Sequence, residues 1–499
     1  MKRLRLVTAL VTLISLLGLA GGAVFQSAAQ AVGGGLQFVP LVEVAPDTPA
    51  APGSTTTPDC TTPAPVFTYQ FFHCYTPADM AAAYGVDRLH GEGITGAGQT
   101  IVIVDSYGSP TALSDLQFFS STFGLPAPNL TIVYPNGKPT YNTKALKGAE
   151  VGWAEETSLD LEWAHAMAPD ANLVLIAANP AETEGVQGFP SIFKGEQYAI
   201  AHYPGAVISQ SFAVTEQSFN AAAQQQVAKF DQVYQQAVAA HMTVVSATGD
   251  SGTANTDKQG RLYPYPTAQW PASDPLVTAA GGTWLQSGWT WDPTISANDF
   301  YGCLATASDP NTCLAAYLNS TSGGKSEAVW KEDWLPAATG GGLSTLYATP
   351  SFQSGLPASL LQGHRGIPDL SWNAAVDGGA LVYVTFPGVR AGWHVIGGTS
   401  AATPQIAATI ALANQLAASM GKGPVGYLNP LLYQLPASDF NDTVPQTYGT
   451  GAGVVTLDSN AEFGSGVAGM STTTGWDLTT GFGSPSAYNF VHDLVNALP

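Results

Sequence analysis

The sequence predicts an α/β fold in which a largely parallel central sheet is flanked by helices on both faces. Short apolar runs rich in β-branched residues alternate along the chain with longer amphipathic stretches, a pattern typical of β-α-β units. The 499 residues are 45% hydrophobic, which is enough to bury a large core. Because this length permits one large domain or several smaller ones, the domain organisation must be inferred from the pattern.

The individual elements follow from the periodicity of the sequence. Strands are predicted at QTIVIVD (99–105), NLVLIAA (172–178), AVISQS (206–211) and TVVSA (243–247). Helices are predicted near 112–123, at 155–169 and near 218–241. Right-handed crossovers between parallel strands place chemistry carried by loops at the carboxyl ends of the strands.

The N-terminus predicts an exported protein. Basic residues lie among the first five positions, an apolar run extends from Leu6 to Phe25, and the small-x-small site Ala29-Gln30-Ala31 follows. This order is typical of a secretory signal peptide over residues 1–31. An N-terminal membrane anchor is the alternative, which glycines within the run disfavour. We therefore expect a secreted protein without membrane contact after signal removal.

The rest of the chain divides by composition. Residues 32–74 are rich in Pro, Thr and Ala without helical or strand periodicity, which predicts a flexible leader or linker. The alternation of strands and helices begins beyond this stretch, and residues 75–499 are expected to form the functional domain. A stretch near 285–325 is rich in Trp, Gly, Asn and Ser and is interpreted as a surface insertion.

The four cysteines form two closely spaced pairs. They are Cys60 and Cys74, and Cys303 and Cys313. In an exported protein this spacing predicts the disulfides 60–74 and 303–313. A metal site is the weaker alternative, because neither pair has zinc-finger spacing with nearby histidines.

The charge balance argues against a nucleic-acid partner and favours an acidic environment. Charged residues make up 10% of the chain, and 36 acidic residues stand against 16 basic ones. A nucleic-acid partner is therefore not expected. A surface with few ion pairs loses little when carboxylates are protonated, which suits acidic surroundings. The alternative is that the net charge of −20 simply provides solubility.

The segment GGTSAATP (397–404) contains a candidate nucleophile, Ser400. A long helical pattern begins at this serine, and a helix N-terminus stabilises developing negative charge through its free N–H groups and its dipole. The two glycines before it would let a substrate backbone approach closely. The alternative interpretation is an ordinary N-cap serine.

A nucleophilic serine needs a base, and none of the eight histidines stands in a recognisable catalytic context. Glu156 and Asp160 are four residues apart in the predicted helix 155–169 and share one face of it. If both are buried they cannot easily both ionise, so a proton is shared and one pKa rises. The alternative is an acidic helix face in water, to which Glu155 and Glu162 would add.

Asp250 lies in the turn SATGDSG (246–252), directly after the strand TVVSA. At the carboxyl end of a strand its side chain could donate a hydrogen bond to a tetrahedral oxyanion, provided that the acid is protonated. A simple Asx turn is the alternative explanation of this motif.

Taken in this order, the three motifs resemble those of the sedolisin family of serine-carboxyl peptidases. The matching segments are the E-x-x-L-D pattern of Glu156 to Asp160, the Gly-Asp-Ser-Gly turn around Asp250, and Gly398-Thr399-Ser400-Ala401 with Pro404. The resemblance covers roughly 75–499 apart from the insertion. It implies a subtilisin-like three-layer fold and assigns Ser400 as nucleophile, Glu156 with Asp160 as the base pair and Asp250 as oxyanion donor.

The resemblance also implies further sites. FNDTV (440–444) and TTGWDLTTGFGSP (473–485) are similar to the two halves of the family's calcium site. The implied Ca²⁺ ligands are carboxylates of Asp442 and Asp477 and carbonyls of Thr443, Thr473 and Gly475, hard oxygen donors that suit calcium. An acid and a tryptophan that support the Glu-Asp pair in the family correspond to Asp105 and Phe212.

The function implied by the resemblance is that of a secreted, acid-acting, monomeric endopeptidase with protein or peptide substrates and one structural calcium ion. Two alternatives remain open. A subtilase would use Asp105, an unassigned histidine and Ser400. A secreted binding domain on the same fold would be catalytically silent.

Overall fold

A sheet of eight strands lies at the centre of the fold. In chain order the strands are β1 (Thr100–Ser106), β2 (Asn129–Val133), β3 (Asn172–Ala178), β4 (Val207–Gln210), β5 (Thr243–Ala247), β6 (Thr278–Trp291), β7 (Leu318–Val329) and β8 (Leu370–Asn373). Across the sheet the order is β7-β6-β5-β4-β1-β3-β2, and β8 pairs with β6. Every pair is parallel except β6 with β7. The predicted largely parallel sheet is confirmed.

The computed structural model describes most of the chain beyond residue 74. The described residues are 39–40, 43–44, 64–66, 70–72, 74–141, 148–179, 189–219, 221–257, 261–291, 318–332, 335–448, 455–462 and 464–499.

Eight longer helices are described around the sheet. They are α1 (Pro77–Tyr84), α2 (Val86–Gly91), α3 (Ala112–Thr122), α4 (Gly148–Met167), α5 (Phe189–His202), α6 (Ala221–Ala239), α7 (Thr399–Ser419) and α8 (Ala487–Ala497). Single helical turns are formed by Glu216–Ser218, Ser351–Gln353, Ala358–Leu361, Asn429–Leu432 and Ala437–Asp439.

The strands bury both faces of the sheet. In β1, Ile101 and Ile103 join the core formed with α4, α7 and α8, whereas Val102 and Val104 join the core formed with α5 and α6. Alternate side chains of a strand point to opposite faces, so a strand covered on both sides must be apolar at successive positions. This burial explains why the runs in the sequence are continuous, and it confirms the three-layer arrangement.

The predicted boundaries agree closely with the structure where a run is long and apolar. The strands at 172–178 and 243–247 match β3 and β5. The predicted helix 155–169 is longer, because α4 already begins at Gly148. The strand Asn129–Val133 was not predicted, since it lies at the sheet edge and only part of each side chain is buried.

Smaller pairings surround the central sheet. A hairpin of Gly379–Val384 and Gly392–Gly397 leads directly into α7 and also pairs with Cys74–Tyr75 and Glu43–Val44. Phe212–Thr215 pairs with Gln269–Trp270 and Val39–Pro40. The remaining two-stranded pairs are Ala64–Val66 with Gln70–Phe72, Lys331–Glu332 with Ala337–Ala338, Gly342–Ala348 with His364–Ile367, Phe440–Asn441 with Ser484–Pro485, and Gln446–Tyr448 with Val455–Leu457.

The range 32–74, expected to lack regular structure, contains short paired stretches at 39–40, 43–44, 64–66 and 70–72. The first two pair with strands of the domain and the last two pair with each other. Such short backbone pairings need no side-chain periodicity, which is why the sequence pattern did not indicate them. The predicted signal peptide, residues 1–31, lies outside the described residues. Cys74 is disulfide-bonded, but the other three cysteines are not described, so both predicted pairings stay predictions.

The segment interpreted as a surface insertion begins within a long hairpin. Strands β6 and β7 pair antiparallel from Thr283 with Val329 out to Trp291 with Leu318, and the predicted segment near 285–325 includes the outer part of this ladder and residues 292–317, which are not described. In the part of the chain that the structure describes, none of the helices has the length and apolarity needed to cross a membrane.

Candidate active site

Ser400 is the second residue of α7 and is completely buried. The preceding Gly398 has φ +95°, which L side chains rarely adopt, so a glycine is required where the strand Gly392–Gly397 turns into the helix. The Ser400 Oγ lies 3.5 Å from the carbonyl oxygen of Ser211. Because the N–H groups of a first helical turn have no intrahelical partners, negative charge that develops beside this serine is stabilised.

Glu156 and Asp160 lie one turn apart on α4, and neither side chain is exposed. The alternative of an acidic helix face in water is therefore wrong, and Glu162 of the same helix is also buried, with its Oε2 accepting a hydrogen bond from the Tyr383 N–H at 2.9 Å. Burial of α4 between the sheet and the hairpin 379–397 places these carboxyl groups in an apolar environment, where the neutral form is favoured.

Burial raises the pKa of Glu156 well above its usual range, and nearby Asp160 and Asp105 raise it further. The Ser400 hydroxyl acts in the opposite direction on the same pKa. The Ser400 hydroxyl lies close to Glu156 but outside hydrogen-bonding geometry, because neither Glu156 oxygen has a hydrogen-bond partner among the described residues. Such contacts are often long in the absence of substrate.

Several buried carboxyl oxygens of this cluster have no donor among the described residues. They are Oε1 and Oε2 of Glu156, Oδ2 of Asp160, Oδ1 of Asp105 and Oδ2 of Asp250. Ionised carboxylates only accept hydrogen bonds, so leaving such oxygens unpaired in the interior is costly. A proton held between two carboxyl groups provides the missing donor and also removes one of the two like charges.

Asp105 lies beside the Glu156–Asp160 pair, at the carboxyl end of β1. Its Oδ2 accepts a hydrogen bond of 2.9 Å from the Thr157 hydroxyl. Burial raises the pKa of Asp105 to about 7, and the Thr157 hydrogen bond opposes this effect. Burial and then Asp105 raise the pKa of Asp160, whose Oδ1 accepts from the Ser211 hydroxyl at 2.8 Å. Three carboxyl groups thus form one buried cluster.

Asp250 approaches the start of α7 from the turn after β5. Its Oδ1 accepts hydrogen bonds from the N–H and the hydroxyl of Thr399, at 2.8 and 2.7 Å. Burial raises the pKa of Asp250 to about 7, and the two Thr399 hydrogen bonds oppose this effect. The preceding Gly249 has φ +105° and packs against Gln269, so the turn requires a glycine. The second oxygen, Oδ2, is the one free to carry a proton.

No hydrogen bond links a histidine to Ser400 or Asp105 in the described part of the chain. His90 and His165 contact the carbonyl oxygens of Met167 and Pro126, while His394 contacts that of Arg390. A subtilase arrangement would need a histidine next to Ser400 and hydrogen-bonded to Asp105. The partner of Asp105 is instead Thr157.

The two halves of the implied calcium site lie together. The Asp442 Oδ2 accepts from the Gly475 N–H at 2.8 Å, and the Asp477 Oδ2 accepts from the Thr473 N–H at 2.9 Å. The Thr443 hydroxyl is buried without a hydrogen-bond partner in the described residues. Among those residues, no group of three or more His, Cys, Asp or Glu side chains is arranged so that it could hold a metal ion. Two carboxylates with loop carbonyls, however, fit the oxygen ligands that calcium prefers.

Sequence reasoning missed three hydroxyl groups that hold the carboxyl side chains in position: those of Thr157, Ser211 and Thr399. Ser211 follows the end of β4, at the same edge of the sheet as Asp105 and Asp250. This position at the carboxyl end of a strand could have predicted that Ser211 belongs to the site. The position implied for a tryptophan holds Phe212, whose ring centroid lies 6.3 Å from that of Trp153 on α4.

Comparisons with known proteins identify relatives of the whole chain and of its fold. No family model matches the chain. Kumamolisin from Bacillus sp. (strain MN-32) is 30% identical over 426 residues, which cover 84% of this chain and 64% of that protein. Tripeptidyl-peptidase 1 from Macaca fascicularis is 28% identical over 352 residues, which cover 68% and 52%. Pseudomonas sedolisin, a serine-carboxyl proteinase solved in complex with two molecules of pseudo-iodotyrostatin, aligns with a TM-score of 0.59 and 25% identity over 84% of this chain and 97% of that one.

The chain therefore spans about half to two thirds of the length of these two relatives, and nearly all of the solved sedolisin chain. The TM-score of 0.59 indicates that sedolisin shares the fold of this chain, in which helices cover both faces of a largely parallel sheet. Together with the motifs around Ser400, Glu156 and Asp250, these similarities establish that the chain belongs to the sedolisin family of serine-carboxyl peptidases.

Proposed function

We propose that this protein is an endopeptidase that hydrolyses peptide bonds through an acyl-enzyme on Ser400. The observation that carries the proposal is the convergence of four buried side chains, Ser400, Glu156, Asp160 and Asp250, at the carboxyl edge of the sheet. This set contains a nucleophile, a base and a potential oxyanion donor. Membership of a family whose relatives are named as peptidases supports the same reaction.

In the proposed mechanism, Glu156 accepts the proton of the Ser400 hydroxyl as Oγ attacks the scissile carbonyl carbon. Asp160 holds the proton shared with Glu156, and the Ser211 hydroxyl fixes Asp160 through its 2.8 Å hydrogen bond. Glu156 then returns the proton to the leaving amine as the C–N bond breaks. A water molecule, deprotonated in the same way, hydrolyses the acyl-enzyme.

Asp250 is proposed to donate a hydrogen bond from a protonated Oδ2 to the oxyanion of the tetrahedral intermediate. Thr399 occupies the other oxygen with two donors, which leaves the neutral acid oriented with its O–H directed away from Thr399. A donor placed where charge develops contributes more in a dry site than in water. Since the pKa of Asp250 is about 7, this role requires acidic to neutral conditions.

We further propose that the protein is secreted, works as a monomer at acidic pH and takes protein or peptide substrates. The predicted signal peptide supports secretion, and the raised pKa values of the buried acids support acid action.

A calcium ion is proposed at Asp442, Thr443, Thr473, Gly475 and Asp477. When bound, it would neutralise the two carboxylates and hold the C-terminal loops together.

The nucleophile and base are tested by Ser400→Ala and Glu156→Gln, assayed on an unstructured protein such as casein at pH 4. Each change should reduce kcat by several orders of magnitude, because formation of the acyl-enzyme needs both the nucleophile and the base. Unfolding by urea serves as the control and should show a folded protein in both cases. Near-normal kcat for Glu156→Gln would rule out Glu156 as the base.

A further inference from the structure

The turn that carries Asp250 is paired with a neighbouring backbone segment, 338–340. The Ala338 N–H donates a hydrogen bond of 2.8 Å to the Asp250 carbonyl oxygen, and the Gly340 N–H donates one of 2.7 Å to that of Gly249. Both bonds join the main chain at or directly beside the proposed oxyanion donor. The position of the Asp250 backbone therefore depends on where segment 338–340 lies.

Asn460 binds the middle of this segment. Its side chain is completely buried, and its Nδ2 donates a hydrogen bond of 3.0 Å to the Thr339 carbonyl oxygen. Its Oδ1 accepts one of 2.7 Å from the Met470 N–H, and its own N–H donates to the Met470 carbonyl oxygen at 3.1 Å. Because the amide donates at one atom and accepts at the other, only one orientation of the Asn460 side chain satisfies both contacts.

The main chain of Asn460 also contacts the far end of the turn. A Cβ at Gly252 would lie 2.0 Å from the Asn460 carbonyl oxygen, so the two backbones pack directly against each other. The next residue, Thr253, donates from its hydroxyl to the Ala468 carbonyl oxygen at 2.7 Å. Asn460 and Ala468 lie in one loop between the two halves of the implied calcium site. This loop therefore contacts both the turn and segment 338–340.

We propose that Asn460 is a positioning residue for Asp250. It fixes the turn through its contacts with Thr339 and Gly252, and the turn in turn presents Asp250 to the oxyanion. This inference rests on the proposed role of Asp250. Displacement of a reacting or stabilising group by about 1 Å can lower a rate on the order of 10²-fold. Without the Asn460 amide, the Thr339 carbonyl loses this donor, and segment 338–340 is free to shift together with Asp250.

A double-mutant cycle with Asp250→Ala tests whether Asn460 acts through Asp250. Asn460→Ala should lower kcat for casein at pH 4 by about 10-fold and leave KM nearly unchanged, because the oxyanion donor is needed only in the transition state. In the Asp250→Ala background the same change should lower kcat by less than about 2-fold. The matched control is Asn429→Ala, which also removes hydrogen bonds of a buried asparagine and should keep the native kcat.

Asn460→Asp is the conservative variant. A protonated aspartic acid can donate to the Thr339 carbonyl and accept from the Met470 N–H, and burial favours this neutral form at pH 4. The variant should therefore keep most of the native kcat at that pH. A kcat no higher than that of Asn460→Ala would overturn the inference, and so would equal losses from Asn460→Ala with and without Asp250.

Hydrogen exchange followed by mass spectrometry locates the effect without catalysis. The N–H groups of Ala338, Gly340 and Gly252 form the bonds between the turn and segment 338–340. In Asn460→Ala these amides should exchange at least about 5-fold faster than in the native protein and in the Asn429→Ala control. Unchanged exchange would overturn the inference even if kcat fell. Native activity in Asp250→Ala would count against the proposed function instead, because exchange reports on the turn alone.

Discussion

At the scale of single residues, the proposed chemistry depends on which oxygen atoms can carry a proton. Among the described residues, Asp250 has one oxygen fixed by Thr399 and one without a donor, and Glu156 has no donor at either oxygen. Burial is the largest cause of the raised pKa at Glu156, Asp160 and Asp250. Neutral forms of these acids therefore persist to a higher pH than they would in water.

Asp250→Asn tests whether Asp250 acts as a hydrogen-bond donor. An amide donates without needing a proton and can keep its oxygen on Thr399, so the variant should retain some activity and lose less of it between pH 5 and 8 than the native protein. Asp250→Ala should lower kcat by about 10²- to 10³-fold at every pH, as loss of an oxyanion donor does. The measurement is kcat/KM against pH for the three proteins. A native optimum above neutral pH, or full activity of Asp250→Ala, would contradict the role.

At the scale of secondary-structure elements, pairing brings distant side chains into one site. The helical period places Glu156 and Asp160 on one face of α4, and the parallel strands β1, β4 and β5 end at the edge where Asp105, Ser211 and Asp250 lie. Near the C-terminus, Phe440–Asn441 pairs with Ser484–Pro485. That pairing holds the loops of Asp442 and Asp477 next to each other.

The calcium proposal predicts that chelation lowers the melting temperature of the native protein. A ligand present at 100 times its dissociation constant contributes about 2.7 kcal/mol to stability, which corresponds to a shift of several degrees. Asp442 is exposed and, among the described residues, accepts one hydrogen bond, from the Gly475 N–H. Asp442→Ala should therefore remove the calcium-dependent part of the melting temperature and little else. Differential scanning calorimetry with and without chelator measures both effects.

Asp477→Ala is the matched comparison. The Asp477 Oδ1 accepts hydrogen bonds from the N–H groups of Thr479 and Thr480, so this variant should be less stable even in chelator. An unchanged melting temperature of the native protein on addition of calcium would argue against the site.

At the scale of the whole molecule, buried acids extend beyond the active site. Glu196 lies on α5, where its Oε1 accepts a hydrogen bond from the Gln210 side chain, and nearby Asp274 accepts one from the Tyr347 hydroxyl. Burial raises the pKa of both carboxyl groups well above the usual range. The Asp274 Oδ1 accepts from the Leu276 N–H at 2.8 Å, and nearby Asp231 raises the Asp274 pKa further. The folded protein therefore retains protons that the unfolded chain releases.

This retention predicts that the free energy of unfolding falls as the pH rises. Between the unfolded pKa near 4 and the raised folded pKa, the folded state binds more protons than the unfolded one, so stability decreases by up to about 1.4 kcal/mol per pH unit for each such group. Below pH 4 these groups are protonated in both states, and their stabilisation is fully present. Urea unfolding at pH 4, 5.5 and 7 measures the slope.

Asp274→Asn separates this effect from catalysis. Asparagine cannot ionise, so its variant should lose less stability from pH 4 to pH 7 than the native protein, by about 1 kcal/mol or more, and should keep the native kcat. Its amide oxygen can still accept from the Leu276 N–H. Identical slopes for the two proteins would show that Asp274 is not a source of the pH dependence.

The sequence by itself determined the local features of this protein. Continuous apolar runs predicted β3 and β5 because those strands are buried on both faces. The helical spacing of Glu156 and Asp160, the glycines before Ser400 and the turn at Asp250 indicated the candidate site, because each depends on residues close together in the chain. The resemblance to the sedolisin family rested on these same short motifs.

Only the tertiary structure decided which side chains contact one another and which are buried away from water. The Ser211 hydroxyl donates to Asp160, 51 positions away in the sequence, and Thr399 donates to Asp250, 149 positions away. Local sequence patterns carry no information about contacts at such separations. Burial decided that Glu156 and Asp160 do not face water, a distinction that the acidic helix pattern alone could not make. The pairing of Val39–Pro40 and Glu43–Val44 with strands beside Ser400 could likewise not be predicted from the sequence, since pairing at a strand edge depends on the backbone rather than on side chains.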